Sequence, residues 1–119
     1  MKLGFVTAIL DQDDFKKVVD TAASIGYECL EVACWPVEKE SRRYAGVTHI
    51  DIEHLSERKI QEIKAYCKEK NIEISALAYY PNTLTEDLEK RNRYIEHLKN
   101  MICTAPKLGV HMITTFIGR

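Results

Sequence analysis

Apolar and polar residues along the chain follow two different periods, which predicts strands that alternate with helices. A short apolar run opens the chain at residues 3–7. Residues 13–25 then carry apolar side chains at i, i+3, i+4, i+7 and i+8, the spacing of one helical face. Further strands are predicted at 28–34, 72–78 and 111–117, and further helices at 57–70 and 86–108. The pattern therefore predicts four strands with three helices between them.

The exits of the three predicted helices share one local pattern. Gly26, Asn71 and Gly109 each precede an apolar residue at the start of the next strand, and Gly or Asn suits the left-handed position that ends a helix. Each helix thus turns into its strand within one or two residues. The connections from strand to helix are longer, above all 35–56. Short turns at one end and long loops at the other are typical of a parallel α/β layer.

The longest predicted helix, at 86–108, carries signals at both of its ends. Thr83 and Glu86 fit a capping box at its start. Pro106 must end or kink its last turn, because proline has no N–H to donate. We expect its buried side to be an apolar stripe formed by Leu88, Ile95, Leu98, Ile102 and Ala105.

Two α/β architectures fit this order of elements. In the first, residues 1–119 form a single partial domain, the N-terminal half of a (β/α)8 TIM barrel with the order β1-α1-β2-α2-β3-α3-β4. A whole barrel of this kind takes about 250 residues. The second is a complete open sheet of the flavodoxin-like kind, which normally ends with a helix after its last strand. No helix is predicted after residue 117, so the half-barrel is the preferred interpretation.

Ligand sites in such layers lie beyond the carboxyl ends of the strands, and Glu31 is the first candidate there. Alternation along its strand puts Leu30 and Val32 on one face and Glu31 on the other. If the two apolar residues pack against helices, the carboxylate points into the barrel. An unpaired buried charge is costly, so Glu31 needs either a substrate or a structural Lys or Arg partner.

Four further residues are considered as substrate contacts. Trp35 could offer its apolar face to the C–H groups of a sugar, although it could equally anchor the loop that follows. The hydroxyls of Tyr79 and Tyr80 suit polyol recognition because they donate and accept hydrogen bonds without adding charge. Arg119 is the best candidate to hold a phosphate or carboxylate through charge-assisted hydrogen bonds.

Other residues with chemical potential are interpreted as structural. His49 and Asp51 are too few for a metal site and are expected to make hydrogen bonds within their loop. Cys34 has no cation or helix start nearby to activate it. His97 is placed on the side of the layer away from the chemistry. The charged segment 42–44 could reach an anionic group, although solvated loop charge is the commoner outcome.

Composition excludes several function classes. Seventeen basic and eighteen acidic residues give a formal charge of −1, without the basic surplus that nucleic-acid binding needs. No apolar run reaches the roughly 18 residues of a membrane helix, and the first residues do not form a signal peptide. The four cysteines have no CxxC spacing, which indicates reduced thiols and a cytoplasmic protein. No nucleophile–base pair is visible, so no catalytic residue is assigned.

The sequence resembles the sugar phosphate isomerase/epimerase family of the xylose isomerase-like TIM barrel superfamily. The resemblance covers the chain in order through the segments 2–7, 23–32, 34–36, 44–51, 79–82 and 114–119. It implies a full barrel that binds a divalent metal through carboxylates and a histidine supplied mainly by strands five to eight. This chain itself would then hold no metal or cofactor. By the same resemblance, Glu31 is a polar barrel residue, and Trp35, Tyr80 and Arg119 are rim contacts.

The resemblance implies a fragment of an enzyme that acts on a sugar or polyol by metal-assisted proton transfer, inactive as an isolated chain. One alternative is an inosose-dehydratase-like lyase. The superfamily also includes metal-dependent apurinic endonucleases, which use histidines after their early strands. This sequence has tyrosines there instead, which disfavours DNA repair. A further alternative is a non-catalytic half-barrel that self-associates, because its inner face, with Ile113 and Leu77, would be uncovered. We therefore expect a homo-oligomer.

Overall fold

The computed structural model describes residues 1–37 and 45–118 of the chain. Four strands alternate with three α-helices, in the order that the sequence predicts. The elements are β1 (Gly4–Val6), α1 (Phe15–Ser24), β2 (Cys29–Ala33), α2 (Glu57–Lys70), β3 (Glu73–Ala78), α3 (Leu88–Thr104) and β4 (Ile113–Thr114). Short 3-10 helices follow β1 at Thr7–Leu10 and α3 at Ala105–Leu108. No described helix is long and apolar enough to cross a membrane.

The four strands form one parallel sheet with the order β1-β2-β3-β4. Each strand pairs with the next one in sequence, whereas an open doubly wound sheet reverses its strand order at a switch point. The sequential order therefore excludes the flavodoxin-like alternative. It confirms the prediction of an α/β fold that corresponds to half of a TIM barrel.

The helices begin at polar caps that satisfy otherwise unpaired N–H groups. The side chains of Asp14, Ser56 and Asp87 accept hydrogen bonds from the backbone of the third residue beyond each cap, at 2.9, 3.2 and 3.0 Å. The capping box expected at Thr83 and Glu86 is wrong, because Asp87 takes that role and α3 begins at Leu88. A carboxylate at this position accepts the same N–H and also favours the positive end of the helix dipole.

The helix exits agree with the sequence prediction. Asn71 and Gly109 adopt left-handed backbone conformations at φ of 55° and 74°, and Gly26 has φ of 85°. Pro106 lies in the 3-10 turn that ends the third helical segment, as its missing N–H requires. Each turn returns the chain to the amino end of the next strand.

The buried side of α3 differs from the expected stripe. Leu88 and Ile102 are 65% and 59% exposed, whereas His97, Met101 and the following Ala105 are buried. The sequence offered apolar residues on two neighbouring helical faces. Packing buries the face with His97, and Nε2 of its ring donates to the backbone carbonyl of Cys34 at 2.7 Å.

A β-bulge in β3 determines which residues face the helices. Leu30 pairs with Ile74, but Glu31 pairs with Ala76, so Ser75 is an extra residue without a partner on β2. The bulge reverses the alternation, and Leu77 comes into register with Val32, with both side chains fully buried. The expectation that Leu77 and Ile113 lie uncovered on the inner face is therefore wrong. They belong to the helix side of the sheet, since Ile113 is in register with Leu77.

The opposite side of the sheet is called the inner face here. By register and alternation it consists of Val6, Glu31, Ala33, Ala76, Ala78 and Thr114. The helix side holds the core, in which Val18, Val19 and Leu30 are fully buried. The inner face is thus made of small and polar side chains, and the apolar core lies between the sheet and its helices.

Candidate functional site

Three polar side chains from neighbouring strands meet at the carboxyl end of the inner face. Tyr80 follows β3, and its hydroxyl donates a hydrogen bond to Oε1 of Glu31 on β2. The same hydroxyl lies 3.0 Å from Oγ1 of Thr114, the last residue of β4. We call these residues the Glu31–Tyr80–Thr114 cluster. It lies where ligand sites of barrel enzymes are built.

Local structure explains how the cluster forms. Leu30 and Val32 are buried on the helix side, so Glu31 between them points to the inner face, as predicted. The backbone N–H of Tyr79 donates to the carbonyl of Thr114 at 3.1 Å, which keeps the chain extended beyond β3. This places Tyr80 beside Thr114. Its ring packs against Phe116, with centroids 4.7 Å apart.

Electrostatics keep Tyr80 in its donating form. Partial burial, followed by the hydrogen bond to the Glu31 carboxylate, raises the pKa of the Tyr80 hydroxyl. Ionisation would put two negative charges side by side in a partly desolvated place. Tyr80 is therefore suited to donate a hydrogen bond to a bound molecule and not to act as a base.

Glu31 has no ion-pair partner within residues 1–37 and 45–118. Of the two sequence interpretations, the structural Lys or Arg partner is not found in this part of the chain. A cavity of about 220 Å³ opens beside the carboxylate, lined by Gly4, Phe5, Val6, Cys29, Glu31 and Ser75. The carboxylate thus faces open space on the inner face.

The two neighbouring tyrosines point to different sides of the sheet. Tyr79 is 1% exposed and packs edge-on against Trp35, with centroids 4.9 Å apart. Trp35 is also buried, which is the geometry of a loop anchor. The contact of Trp35 with a substrate stays a prediction. Arg119 and the segment 42–44 lie outside the described residues, and the role of Arg119 also stays a prediction.

Two members of polar networks were missed from the sequence. Thr114 was expected inside a longer strand at 111–117, and its role follows from the end of β4. Thr7 is fully buried, where its hydroxyl accepts from the N–H of Ala33 at 2.8 Å and lies 2.9 Å from Nδ1 of His49. Alternation gives little signal for either residue, because Thr7 lies just beyond β1 and Thr114 ends a strand of only two residues.

His49 holds the long loop after β2 against the first 3-10 helix. Its Nε2 lies 3.3 and 3.1 Å from the carbonyls of Leu10 and Asp13, so the neutral ring donates from Nε2 and accepts from Thr7 at Nδ1. Burial lowers the pKa of His49. The prediction that His49 makes structural hydrogen bonds is confirmed, but its partners Thr7, Leu10 and Asp13 lie outside its own loop.

Cys34 and the possible metal ligands are the remaining groups with reactive side-chain chemistry. Burial raises the pKa of the Cys34 thiol well above its usual range, which agrees with the interpretation that it is inert. Within the described residues, no three His, Cys, Asp or Glu side chains are grouped so that they could hold a metal ion. The residues present therefore do not fit a complete divalent-metal site, and no chemical step is assigned through one.

Comparisons with known proteins agree with the half-barrel fold. Among solved structures, the probable 3-DHS dehydratase AsbF involved in petrobactin synthesis from Bacillus anthracis matches 98% of this chain, with 23% identity and a TM-score of 0.59. An uncharacterized protein from Parabacteroides distasonis matches 97% of it, with 15% identity and a TM-score of 0.52. At these identities the likeness concerns the fold.

The chain is short relative to both proteins. It spans 38% of the AsbF chain and 53% of the Parabacteroides protein. Comparison with curated proteins finds no significant sequence match. The sequence model of one family matches residues 19–119, which is most of the chain. This protein belongs to the xylose isomerase-like TIM barrel family.

Proposed function

We propose that this chain forms the substrate-binding wall of an enzyme that isomerises or epimerises a sugar or related polyol. The observation that supports this proposal is the Glu31–Tyr80–Thr114 cluster, which joins the middle of β2 to the carboxyl ends of β3 and β4. Its groups are a carboxylate and two hydroxyls on the inner face. Together they offer hydrogen-bond acceptors and donors with a single negative charge.

A substrate hydroxyl is the chemical partner that this pair fits. An ionised carboxylate only accepts hydrogen bonds, and the phenolic O–H of Tyr80 is held in its donating form by its raised pKa. A sugar hydroxyl both donates and accepts, so it can enter between Glu31 and Tyr80 and satisfy both. A molecule without that hydroxyl would leave the hydrogen bond between Tyr80 and Glu31 in place and gain no contact with this pair.

The proposed roles of the two remaining candidates depend on the substrate. Arg119, which follows β4 in the sequence, would hold a phosphate or carboxylate if the substrate carries one. Trp35 would contribute through the position of its loop, since its ring is buried against Tyr79. A neutral polyol would use the Glu31–Tyr80–Thr114 cluster alone.

The proposed reaction is proton transfer at the carbon next to a carbonyl. The C–H bond breaks, its electron pair forms an enediolate, and a proton returns to one of its two carbons. The described residues contain no acid–base pair for both proton transfers. These groups, and any divalent metal, are proposed to come from the rest of the barrel, so the isolated chain should have no turnover.

A dehydratase is the second candidate. It would begin with the same removal of a proton and then expel a hydroxyl instead of returning the proton. AsbF is described as a probable dehydratase, and its fold matches 98% of this chain. This likeness is the reason to consider the dehydratase reaction. The Glu31–Tyr80–Thr114 cluster would bind a hydroxyl in either case.

Isotope exchange tests the proposal and separates the two reactions. The complete barrel protein is incubated in D₂O with a panel of ketoses, ketose phosphates and inososes. Deuterium uptake next to the carbonyl, together with an epimer or isomer, is the expected result. A conjugated product that has lost water would replace the isomerase with the dehydratase. Interconversion without deuterium would contradict proton transfer to and from solvent-exchangeable groups.

Matched variants test the residues. Tyr80→Phe removes a hydrogen bond to a charged group, worth about 1.5–3 kcal/mol, and should lower kcat/KM by about ten- to hundredfold. Tyr66→Phe is the control, because it removes a hydroxyl that also bonds a carboxylate, Asp20, on the helix layer. Equal activity of both variants and the parent protein would remove Tyr80 from the site.

A further inference from the structure

His97 on α3 contacts both ends of the long loop between β2 and α2. Its ring is 3% exposed, and Nε2 donates to the carbonyl of Cys34, the first residue after β2, at 2.7 Å. Its other nitrogen, Nδ1, lies 3.5 Å from Oε1 of Glu53, close to the start of α2. The first contact is a short hydrogen bond, and the second is an approach without one.

Nδ1 of His97 is buried and has no hydrogen-bond partner in the part of the chain that the structure describes. Because Nε2 carries the hydrogen that Cys34 accepts, Nδ1 of a neutral ring can only accept. The carboxylate of Glu53 can also only accept. Two acceptors therefore face each other across 3.5 Å, and a proton on Nδ1 would turn this approach into a charge-assisted hydrogen bond.

We propose that protonation of His97 forms a second hydrogen bond between α3 and the β2–α2 loop, from Nδ1 to Glu53. The neutral ring holds only the Cys34 end of the loop. The protonated ring holds both ends. Histidine is the side chain whose charge ordinarily changes between pH 5 and 8, so measurements at two pH values in this range can test the proposal.

The surroundings of His97 permit this change. The ring of Tyr79, after β3, stacks edge-on at 4.8 Å, and a cavity of about 180 Å³ adjoins the site. Its lining comes from the loop, from Tyr79 and from α3: Trp35, Pro36, Glu53, Tyr79, Arg93, Tyr94, Glu96, His97 and Asn100. The charged groups of this lining are Glu53, Glu96 and Arg93, and Glu96 also pairs with Lys99 at 2.7 Å. Glu53 is 48% exposed and has room to shorten its distance to Nδ1.

The loop begins directly after the strand that carries Glu31. The inference itself does not depend on the proposed function, since it concerns only a loop and a helix. It assigns His97 a positioning role that the sequence interpretation, a merely structural histidine, did not include.

Amide hydrogen exchange of residues 45–55 at pH 5.5 and 7.5, corrected for intrinsic exchange rates, tests the inference. For each protein, the measured quantity is the ratio of the protection of this segment at pH 5.5 to its protection at pH 7.5. This ratio should be about threefold larger in the parent protein than in Glu53→Gln, the size expected for a partly exposed ion pair. Protonation of His49 loosens the same loop in both proteins, so its effect cancels in the comparison.

Two further variants make the test specific. The difference between the parent protein and Glu53→Gln should vanish when both carry His97→Gln. It should persist in His54→Gln, which removes an exposed histidine of the same loop that pairs with Asp51 at 2.9 Å. An identical pH dependence in the parent protein and Glu53→Gln would overturn the inference, as would a difference that survives His97→Gln.

A second measurement covers the case in which His97→Gln does not fold. Nitrogen NMR of the imidazole in the parent protein reports directly whether Nδ1 carries a proton. Protonated Nδ1 at pH 5.5, with a signal that moves in Glu53→Gln, is the expected result. An unprotonated Nδ1 at pH 5.5 would overturn the inference without any histidine variant.

Discussion

Two tyrosine–carboxylate pairs lie on opposite sides of the sheet, and within the described residues only one of the two carboxylates has a cation beside it. On the helix side, the Tyr66 hydroxyl of α2 donates to Asp20 of α1 at 2.7 Å, and Nζ of Lys70 lies 2.9 Å from the same carboxylate. On the inner face, Tyr80 donates to Glu31 in the same way. Glu31 has no cation beside it in the described residues, and Thr114 supplies a hydroxyl instead.

The difference separates a structural pair from a candidate binding pair. The hydrogen bond from Tyr66, followed by that from Lys70, lowers the pKa of Asp20, so its charge is balanced within the protein. The charge of Glu31 is not balanced by any described residue, and it faces a cavity. A carboxylate kept in this state is available to a ligand, whereas Asp20 holds two helices together.

The largest expected effect is on the oligomeric state of the isolated chain. The helix side is packed, but Phe116 and Ile117 are exposed, and β1 and β4 have only one strand partner each within the described sheet. Unpaired edges invite pairing with another chain, most often with two-fold symmetry. We expect the isolated chain to form a dimer of about twice 13.7 kDa by light scattering at micromolar concentration. A monomer of 13.7 kDa that melts cooperatively would contradict this.

A buried threonine should matter far more than one on the helix surface. Thr7→Val leaves the N–H of Ala33 and Nδ1 of His49 without their partner. Such a loss typically costs about 1–3 kcal/mol. Thr21→Val is the control, because its hydroxyl bonds only the Lys17 carbonyl on the exposed part of α1, and about 0.5 kcal/mol or less is expected. Urea unfolding of both variants measures the contrast, and equal costs would refute it.

Neutralising the two carboxylates should have opposite effects on thermal stability. Asp20→Asn removes the charge that Lys70 and Tyr66 stabilise, so its Tm should fall. Glu31→Gln removes a charge without a described counter-ion, so its Tm should stay or rise, as at many binding sites that are not optimised for stability. Calorimetry checks the order of the two Tm values. A clear fall for Glu31→Gln would mean that Glu31 is structural.

The smallest expected effect is the acid dependence of the helix-side pair. The pKa of Asp20 in the folded protein is lowered from its ordinary value of 3.8. The unfolded chain therefore binds a proton first, so this stabilisation is complete above pH 3.8 and is lost as the pH falls through the lowered value. Urea midpoints between pH 5 and 2.5 should fall less steeply for Asp20→Asn than for the parent protein. Parallel curves would show that the pair contributes nothing.

The sequence by itself determined the local features of this protein. α2 occupies the predicted range of 57–70, and Asn71 and Gly109 end their helical segments in left-handed conformations. These features depend on neighbouring residues along the chain, through caps, missing N–H groups and periodicity. The inward direction of Glu31 followed in the same way, because β2 has no irregularity before it.

Only the tertiary structure decided which side chains meet. The extra residue Ser75 reverses the alternation of β3 and buries Leu77, and its position depends on the register with β2. The face that α3 buries depends on the carbonyl of Cys34, 63 residues away along the chain. Tyr80, Glu31 and Thr114 come together only because β2, β3 and β4 are neighbours in one parallel sheet. Contacts between distant residues are set by strand pairing and packing, and no local pattern of residues specifies them.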